Sequence, residues 1–285
     1  MTRELNLKPH NLAEPIIPEL LPEYQEKTKI GIHEAKNKKV IFTGICRNVE
    51  DNVKNVLNFC DDIEDLFGSV DYFFYENDSE DSTKAILNEW SQLRNNRTVL
   101  SETGLYKKFS FEKDPVRLKN ISNARNKYLD YINIRQTQYD YVIVLDMDLR
   151  YISIDGFFNS LGWLESTDIN AMAGFSFLYK IFKDTEDKTH VRLINFDSYA
   201  FRHNYWTFVE STSWFNDYIP LIGSRPYKVN SAFGGSCIYK YSDFVKARYH
   251  YFDCEHVEFH RKLKLHNNDF NLFVNPSQIC YIGHD

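Results

Sequence analysis

The chain has 285 residues, 43% hydrophobic and 26% charged, which suffices to bury a sizeable core as one large domain or two small ones and excludes a disordered or fibrous chain. A formal net charge of −6 argues against a nucleic-acid-binding surface, so no nucleic-acid partner is expected. Five cysteines, Cys46, Cys60, Cys237, Cys254 and Cys280, include no Cys-x-x-Cys spacing and suggest neither a disulfide framework nor a zinc site.

No apolar run approaches the roughly 18 residues of a membrane span, and the N-terminus lacks the basic-then-apolar order of a signal peptide. A soluble, cytoplasmic protein with reduced thiols and no transmembrane segment is the expectation.

Residues 1–38 carry Pro9, Pro15, Pro18 and Pro22, which predicts an irregular N-terminal arm on the surface with a short helix near 21–28. The first strand is read at 39–44, and Val49, Val53, Val56 and Leu57 at helical spacing predict a helix within 47–59. A second strand at 70–75 runs into Glu76-Asn77-Asp78-Ser79, after which an Asp/Ser cluster caps a helix over 84–93. A third helix is predicted at 121–134. It precedes the apolar run Tyr139 to Leu145, which ends in Asp146-Met147-Asp148.

Alternation of this kind predicts an α/β fold with a doubly wound, mostly parallel central sheet flanked by helices. Ligands of such sheets bind beyond the carboxyl ends of the strands, where 43–47, 76–81 and 146–148 would gather. Further strands are read at 171–183 and 191–199, followed by aromatic and polar loops over 201–214. Within 229–240 the pair Gly234-Gly235 marks either a bulge or a close backbone approach to a ligand. An amphipathic helix begins in 253–263 with acids near its N-terminus. The last strand signal lies at 273–276, and Tyr281-Ile282-Gly283-His284-Asp285 end the chain.

Asp146 and Asp148 close a buried strand, and two charges there are costly unless a cation or hydrogen-bond donors meet them. A divalent cation with a diphosphate is the commonest ligand that does so. Alone, the same pair also describes a solvated strand-to-loop corner.

The segments Gly44-Ile45-Cys46-Arg47-Asn48, Glu76-Asn77-Asp78-Ser79, Ser122-Asn123-Ala124-Arg125-Asn126, Asp146-Met147-Asp148, Ser231-Ala232-Phe233-Gly234-Gly235 and Cys254-Glu255-His256-Val257 follow one another in this order. In that order the chain resembles GT-A fold glycosyltransferases, most of all the fungal capsule-associated mannosyltransferases of family 69, over about 39–282. It departs from the fungal members in having no N-terminal membrane anchor, which is compatible with a bacterial or viral source.

The resemblance implies a single GT-A domain over 39–285, with a nucleotide-sugar-binding half at 39–148 and an acceptor-side half at 149–285. It implies Mn²⁺ or Mg²⁺, a nucleoside-diphosphate sugar donor (GDP-mannose or a UDP-sugar), and a glycan acceptor. Asp148 would coordinate the cation and Asp146 the ribose or the metal shell, with His284 as a third metal ligand. Thr43, Gly44, Arg47, Glu76, Arg125, Gly234 and Gly235 would contact the donor, the two arginines through phosphate. Glu255 would face the acceptor as the catalytic acid or base.

Each residue has a plainer reading. Arg47 and Arg125 are surface charges, Glu76 and Asp78 turn or cap residues, Glu255 a helix-dipole partner, and His284 a frayed terminus. Two other classes compete. A haloacid dehalogenase-type Mg-dependent phosphohydrolase also uses a strand ending in Asp-x-Asp, but it wants Thr or Val where Arg150 stands, and it places the motif at the first strand. A catalytically inactive carbohydrate-binding GT-A module is the third.

Overall fold

The structure, a computed structural model, describes residues 17–104, 114–135, 137–183, 185, 187–207 and 213–284. A 3-10 turn (Pro18–Leu20) leads into α1 (Leu21–Ala35), β1 (Lys39–Cys46), α2 (Val53–Glu64), β2 (Ser69–Asn77), α3 (Thr83–Gln92), β3 (Arg97–Glu102), α4 (Pro115–Arg135) and β4 (Tyr141–Asp146). There follow β5 (Tyr151–Ile152), α5 (Ile154–Ser166), β6 (Ala171–Lys183), β7 (Thr189–Asn195), α6 (Ser213–Asp217), β8 (Tyr227–Val229), β9 (Ser236–Lys240), α7 (Tyr241–Phe244), α8 (Glu255–His266) and β10 (Leu272–His284).

One sheet runs in the order β3-β2-β1-β4-β9-β6-β10-β5, with β7 beside β6 and β8 beside β10. Two parallel blocks, β3-β2-β1-β4 and β6-β10, carry the expected mostly parallel sheet. Between them β9 runs antiparallel to both neighbours. The alternation of strand side chains assigns each face its own core. Ile41, Phe73, Val142 and Val144 pack with Tyr128 and Leu129 of α4 and Phe259 of α8. Val40, Phe42, Tyr72, Phe74, Ile143 and Leu145 pack with Val56 of α2, Leu87 of α3 and Phe157 and Phe158 of α5.

The predicted short helix near 21–28 is the first half of α1, which continues to Ala35; residues 1–16 of the expected arm lie outside the described residues. Pro22 stands in the first turn, where its missing N–H is not needed. The extra turns come from packing on α5. A Cβ on Gly31 would lie 1.8 Å from the Phe158 carbonyl oxygen, and one on Gly162 would lie 1.8 Å from that of Lys27. Lys27 Nζ donates to Ser166 Oγ at 2.9 Å, and Asn159 Nδ2 to the Tyr24 carbonyl at 2.9 Å.

Ala is the better helix residue by about 1 kcal/mol, yet Gly162→Ala is expected to destabilise by about 1–3 kcal/mol through overpacking. Thermal unfolding followed by circular dichroism checks this. An unchanged or higher melting temperature would mean that the two helices are not in close contact.

Candidate active site

The register of the parallel block sets Asp146 beside Ile45 and Cys46 beside Glu76, so three strand ends finish at one level. After Asp146 the chain turns. Met147 is 1% exposed, and the Cβ that Gly44 lacks would lie 2.8 Å from its Sδ. This buried methionine anchors the turn, leaving the Asp146 side chain 33% exposed and Asp148 open at the rim. Beyond the strand ends lies a cleft of about 380 Å³, whose lining includes Arg47, Arg117, Asn120, Arg125, Asp146, Asp148, Asp197, Phe233, Glu255 and His256.

Arg125, on α4 and buried, connects the two sides of this cleft. Its Nε donates to Glu255 Oε1 at 3.0 Å, and its Nη2 makes a longer contact of 3.4 Å to Asp146 Oδ1. The guanidinium lies 5.1 Å from the Phe233 ring centroid, within cation–π range. One guanidinium thus ties the Asp-x-Asp strand to the first residue of α8. A buried charge needs such partners.

Four carboxylates, Asp146, Asp148, Asp197 and Glu255, share the cleft. Burial pushes the Asp146 carboxyl up to about 8; Arg125 pulls it back, while Asp148, Asp197 and Glu255 push it further. Asp148 is raised as well, by desolvation on its cleft side. Asp197 is pushed up to about 6 by burial, against the pull of the Gly234 N–H that it accepts at 2.7 Å. A cluster of acids held this way favours an added cation.

The other expected residues are placed as follows. Arg47 lines the cleft. Thr43 does not: it is fully buried in the sheet, its hydroxyl 3.5 Å from the Ile143 carbonyl. Gly44 serves the packing of Met147 described above. Glu76, 1% exposed, lies beneath the rim and accepts the Ser79 N–H at 2.8 Å, so it shapes the loop that follows β2. Asp78 accepts the backbone N–H of Gly104.

Gly234 and Gly235 adopt φ +61° and +77°, in the left-handed region, where a Cβ on Gly234 would meet the Gly174 carbonyl oxygen at 2.1 Å. Their loop passes next to the site, since the Gly235 carbonyl accepts the Asp146 N–H at 2.8 Å. His284 ends β10, paired with Tyr179; its side chain lies outside the described residues. So does the 208–212 portion of the expected loop at 201–214.

Asp197, Arg117 and Asn120 went unread in the sequence, and Phe233 was read only as part of the Gly234-Gly235 segment. The strand expected at 191–199 stops at Asn195, which leaves Asp197 in the loop that follows. Among the described residues no three His, Cys, Asp or Glu side chains form a metal-holding group by themselves.

No protein-family model matches the sequence, and no curated protein matches it by sequence. Solved structures do match by shape. GalNAc-T7 in complex with UDP, GalNAc and Mn²⁺ superposes with a TM-score of 0.51 at 10% identity, covering 99% of this chain and 56% of that one. A glucosyl-3-phosphoglycerate synthase from Mycobacterium tuberculosis, solved with Mn²⁺, UDP and phosphoglyceric acid, gives 0.49 at 12% identity over 90% and 72%. A mannosyltransferase from Pyrobaculum calidifontis, solved with GDP-Man and Mn²⁺, gives 0.48 at 12% identity over 92% and 66%. At such identities the likeness speaks to fold alone. The chain is a single α/β domain of the GT-A fold, with a large, mostly parallel sheet flanked by helices.

Proposed function

We propose that this protein is a metal-dependent glycosyltransferase that moves a hexose, mannose favoured, from a nucleoside-diphosphate sugar to a hydroxyl of a glycan acceptor. The observation that carries this reading is the convergence of Asp146, Asp148, Arg125 and Glu255 in one cleft at the carboxyl edge of a GT-A sheet. The motif order, which resembles family 69, favours GDP-mannose, with a UDP-sugar as the competing donor.

The residues present fit a hard divalent cation. Within the cleft the anionic donors are carboxylate oxygens, Asp146 and Asp148, the choice of Mg²⁺ and Mn²⁺. Desolvation holds the Asp146 and Asp148 carboxyls above the usual carboxylate range, a cost that a bound cation would offset. Mg²⁺ sites of this kind commonly use one or two carboxylates plus substrate phosphates, which agrees with the lack of a closed protein cage among the described residues.

Asp148 and Asp146 would hold the ion, with His284 as a further ligand. When bound, the ion neutralises charge building on the departing diphosphate as a Lewis acid. Arg47 and Arg125 bind phosphate oxygens and orient the donor. The Gly234-Gly235 loop fixes the cleft wall and the backbone of Asp146. Glu255 acts on the acceptor hydroxyl as general base. In this reading 39–148 is the donor half and 149–285 the acceptor half. Five free, buried cysteines fit a reducing compartment such as the cytoplasm.

A thermal-shift panel of GDP, UDP, GDP-mannose and UDP-glucose, each with Mn²⁺ or with EDTA, tests donor binding. A ligand at about 100 times its Kd stabilises by about 2.7 kcal/mol, which is several degrees for a protein of this size. A rise with nucleotide and Mn²⁺ together is expected, and little change in EDTA. No shift with any of the four would remove the reading.

A further inference from the structure

α8 carries two buried histidines in different situations. His260 is complete: Ser231 Oγ lies 2.8 Å from its Nδ1 and the Tyr239 hydroxyl 2.8 Å from its Nε2. His256, one turn earlier and 2% exposed, has no hydrogen-bond partner on either ring nitrogen. Its ring cannot easily turn to find one, because it is stacked on Phe233 at a centroid distance of 3.8 Å and 15°, with Tyr249 edge-on at 5.7 Å. Burial and the neighbouring Arg125 charge hold it well below the usual histidine range, so it is a neutral ring with one N–H to give. A buried polar group left open in this way needs an explanation.

Glu255 Oε1 lies 3.7 Å from His256 Nε2. That same oxygen accepts from Arg125 Nε at 3.0 Å. One carboxylate oxygen therefore lies between a buried cation, which also reaches Asp146, and a stacked neutral ring whose nitrogen is just out of hydrogen-bond range. Glu255 is the first residue of its helix, and its side chain has three rotatable bonds through which the carboxylate can be re-aimed.

We propose that His256 is a positioning residue for Glu255: when Arg125 turns to a bound diphosphate, the His256 Nε2–H takes over the carboxylate oxygen and aims Glu255 at the acceptor hydroxyl. This rests on reading the cleft as a glycosyltransferase site. The pair of hydrogen-bond donors, Arg125 and His256, keeps Glu255 oriented with the nucleotide sugar absent or present.

The test compares His256→Phe and His256→Gln, each alone and with Glu255→Gln. His256→Phe keeps the stack on Phe233 and removes the open nitrogens, so its melting temperature should stay level or rise. Its turnover number should fall about 10- to 100-fold with nucleotide affinity unchanged. His256→Gln, which retains an N–H donor, should recover most of that loss. In the Glu255→Gln background, His256→Phe should cost nothing more, because residues acting as a unit are not additive.

Histidine side-chain ¹⁵N spectra give a readout independent of turnover. Glu255→Gln should shift the His256 Nε2 resonance in the free protein, and Mg²⁺ with GDP or UDP should shift it in the wild type. If neither nucleotide binds, the glycosyltransferase reading falls, and the effect of Glu255→Gln on the free protein still decides whether the two side chains are coupled. A His256 resonance indifferent to Glu255→Gln would overturn the proposal. So would unchanged turnover in His256→Phe, or losses in the two variants that simply add.

Discussion

Asp148→Asn is expected to reduce sugar transfer by at least about 10² to 10³, the scale on which removing a positioned electrostatic contact acts, and to abolish the Mn²⁺-dependent stabilisation by nucleotide. The substitution keeps the shape of the side chain and removes an anionic oxygen ligand. The fold should not suffer. Asp148 sits at the rim of the turn after β4, its carboxyl already raised by desolvation, so a neutral amide there relieves a cost. Melting temperature without ligand should be level or slightly higher, while the shift on adding nucleotide and Mn²⁺ disappears. Wild-type transfer in this variant would mean that the cation is held elsewhere or plays no part.

Glu255→Gln carries the second large effect. As a group acting on the acceptor, Glu255 should be worth roughly 10² to 10⁴ in turnover, with donor affinity near that of the wild type. A helix-dipole role alone would cost only about 0.3–1 kcal/mol of stability. The structure adds a third term. Glu255 is 6% exposed and paired with the buried Arg125, and breaking a buried pair from one side costs about 3–5 kcal/mol when nothing replaces the lost partner. Gln can still accept from Arg125 Nε, and Asp146 remains as the second partner, so a smaller loss of stability is expected. Turnover, nucleotide affinity and melting temperature measured on this one variant separate the roles. A lower melting temperature with near-normal turnover would reduce Glu255 to a support for Arg125.

The parallel half of the sheet was legible because its strands have period-2 apolar patterns and its helices α2 and α3 have one apolar face each. The same patterns brought 43–47, 76–77 and 146–148 to one edge. What failed to show has local causes. α5 is buried nearly all round, with Gly156 through Gly162 enclosed between the sheet and α1, so it lacks the one-sided period that marks a surface helix. Only Ser153, whose Oγ accepts the Gly156 N–H at 3.0 Å, signalled its start.

The direction of β9 was equally hidden. Five residues, buried but for the last, read the same whichever way they pair. β10 runs beyond the signal read at 273–276: the strand continues past Pro276 and a register shift between Val274 and Ile279. Within the site, Arg125 and Glu255 are 130 residues apart in sequence, and only the fold reveals that they form a pair. Thr43 and Gly44 look like site residues in sequence because they stand at a strand end, yet their side-chain positions belong to the sheet interior.

The central claim is metal-dependent transfer from a nucleotide sugar, and its most direct measurement is nucleoside diphosphate release from GDP-mannose, UDP-glucose and UDP-N-acetylglucosamine by the wild-type protein, with Mn²⁺ and with EDTA. The account predicts release from at least one donor in Mn²⁺, suppressed by EDTA and by Asp148→Asn. Binding of these donors with no release under any condition, or release that proceeds equally in EDTA, would contradict it.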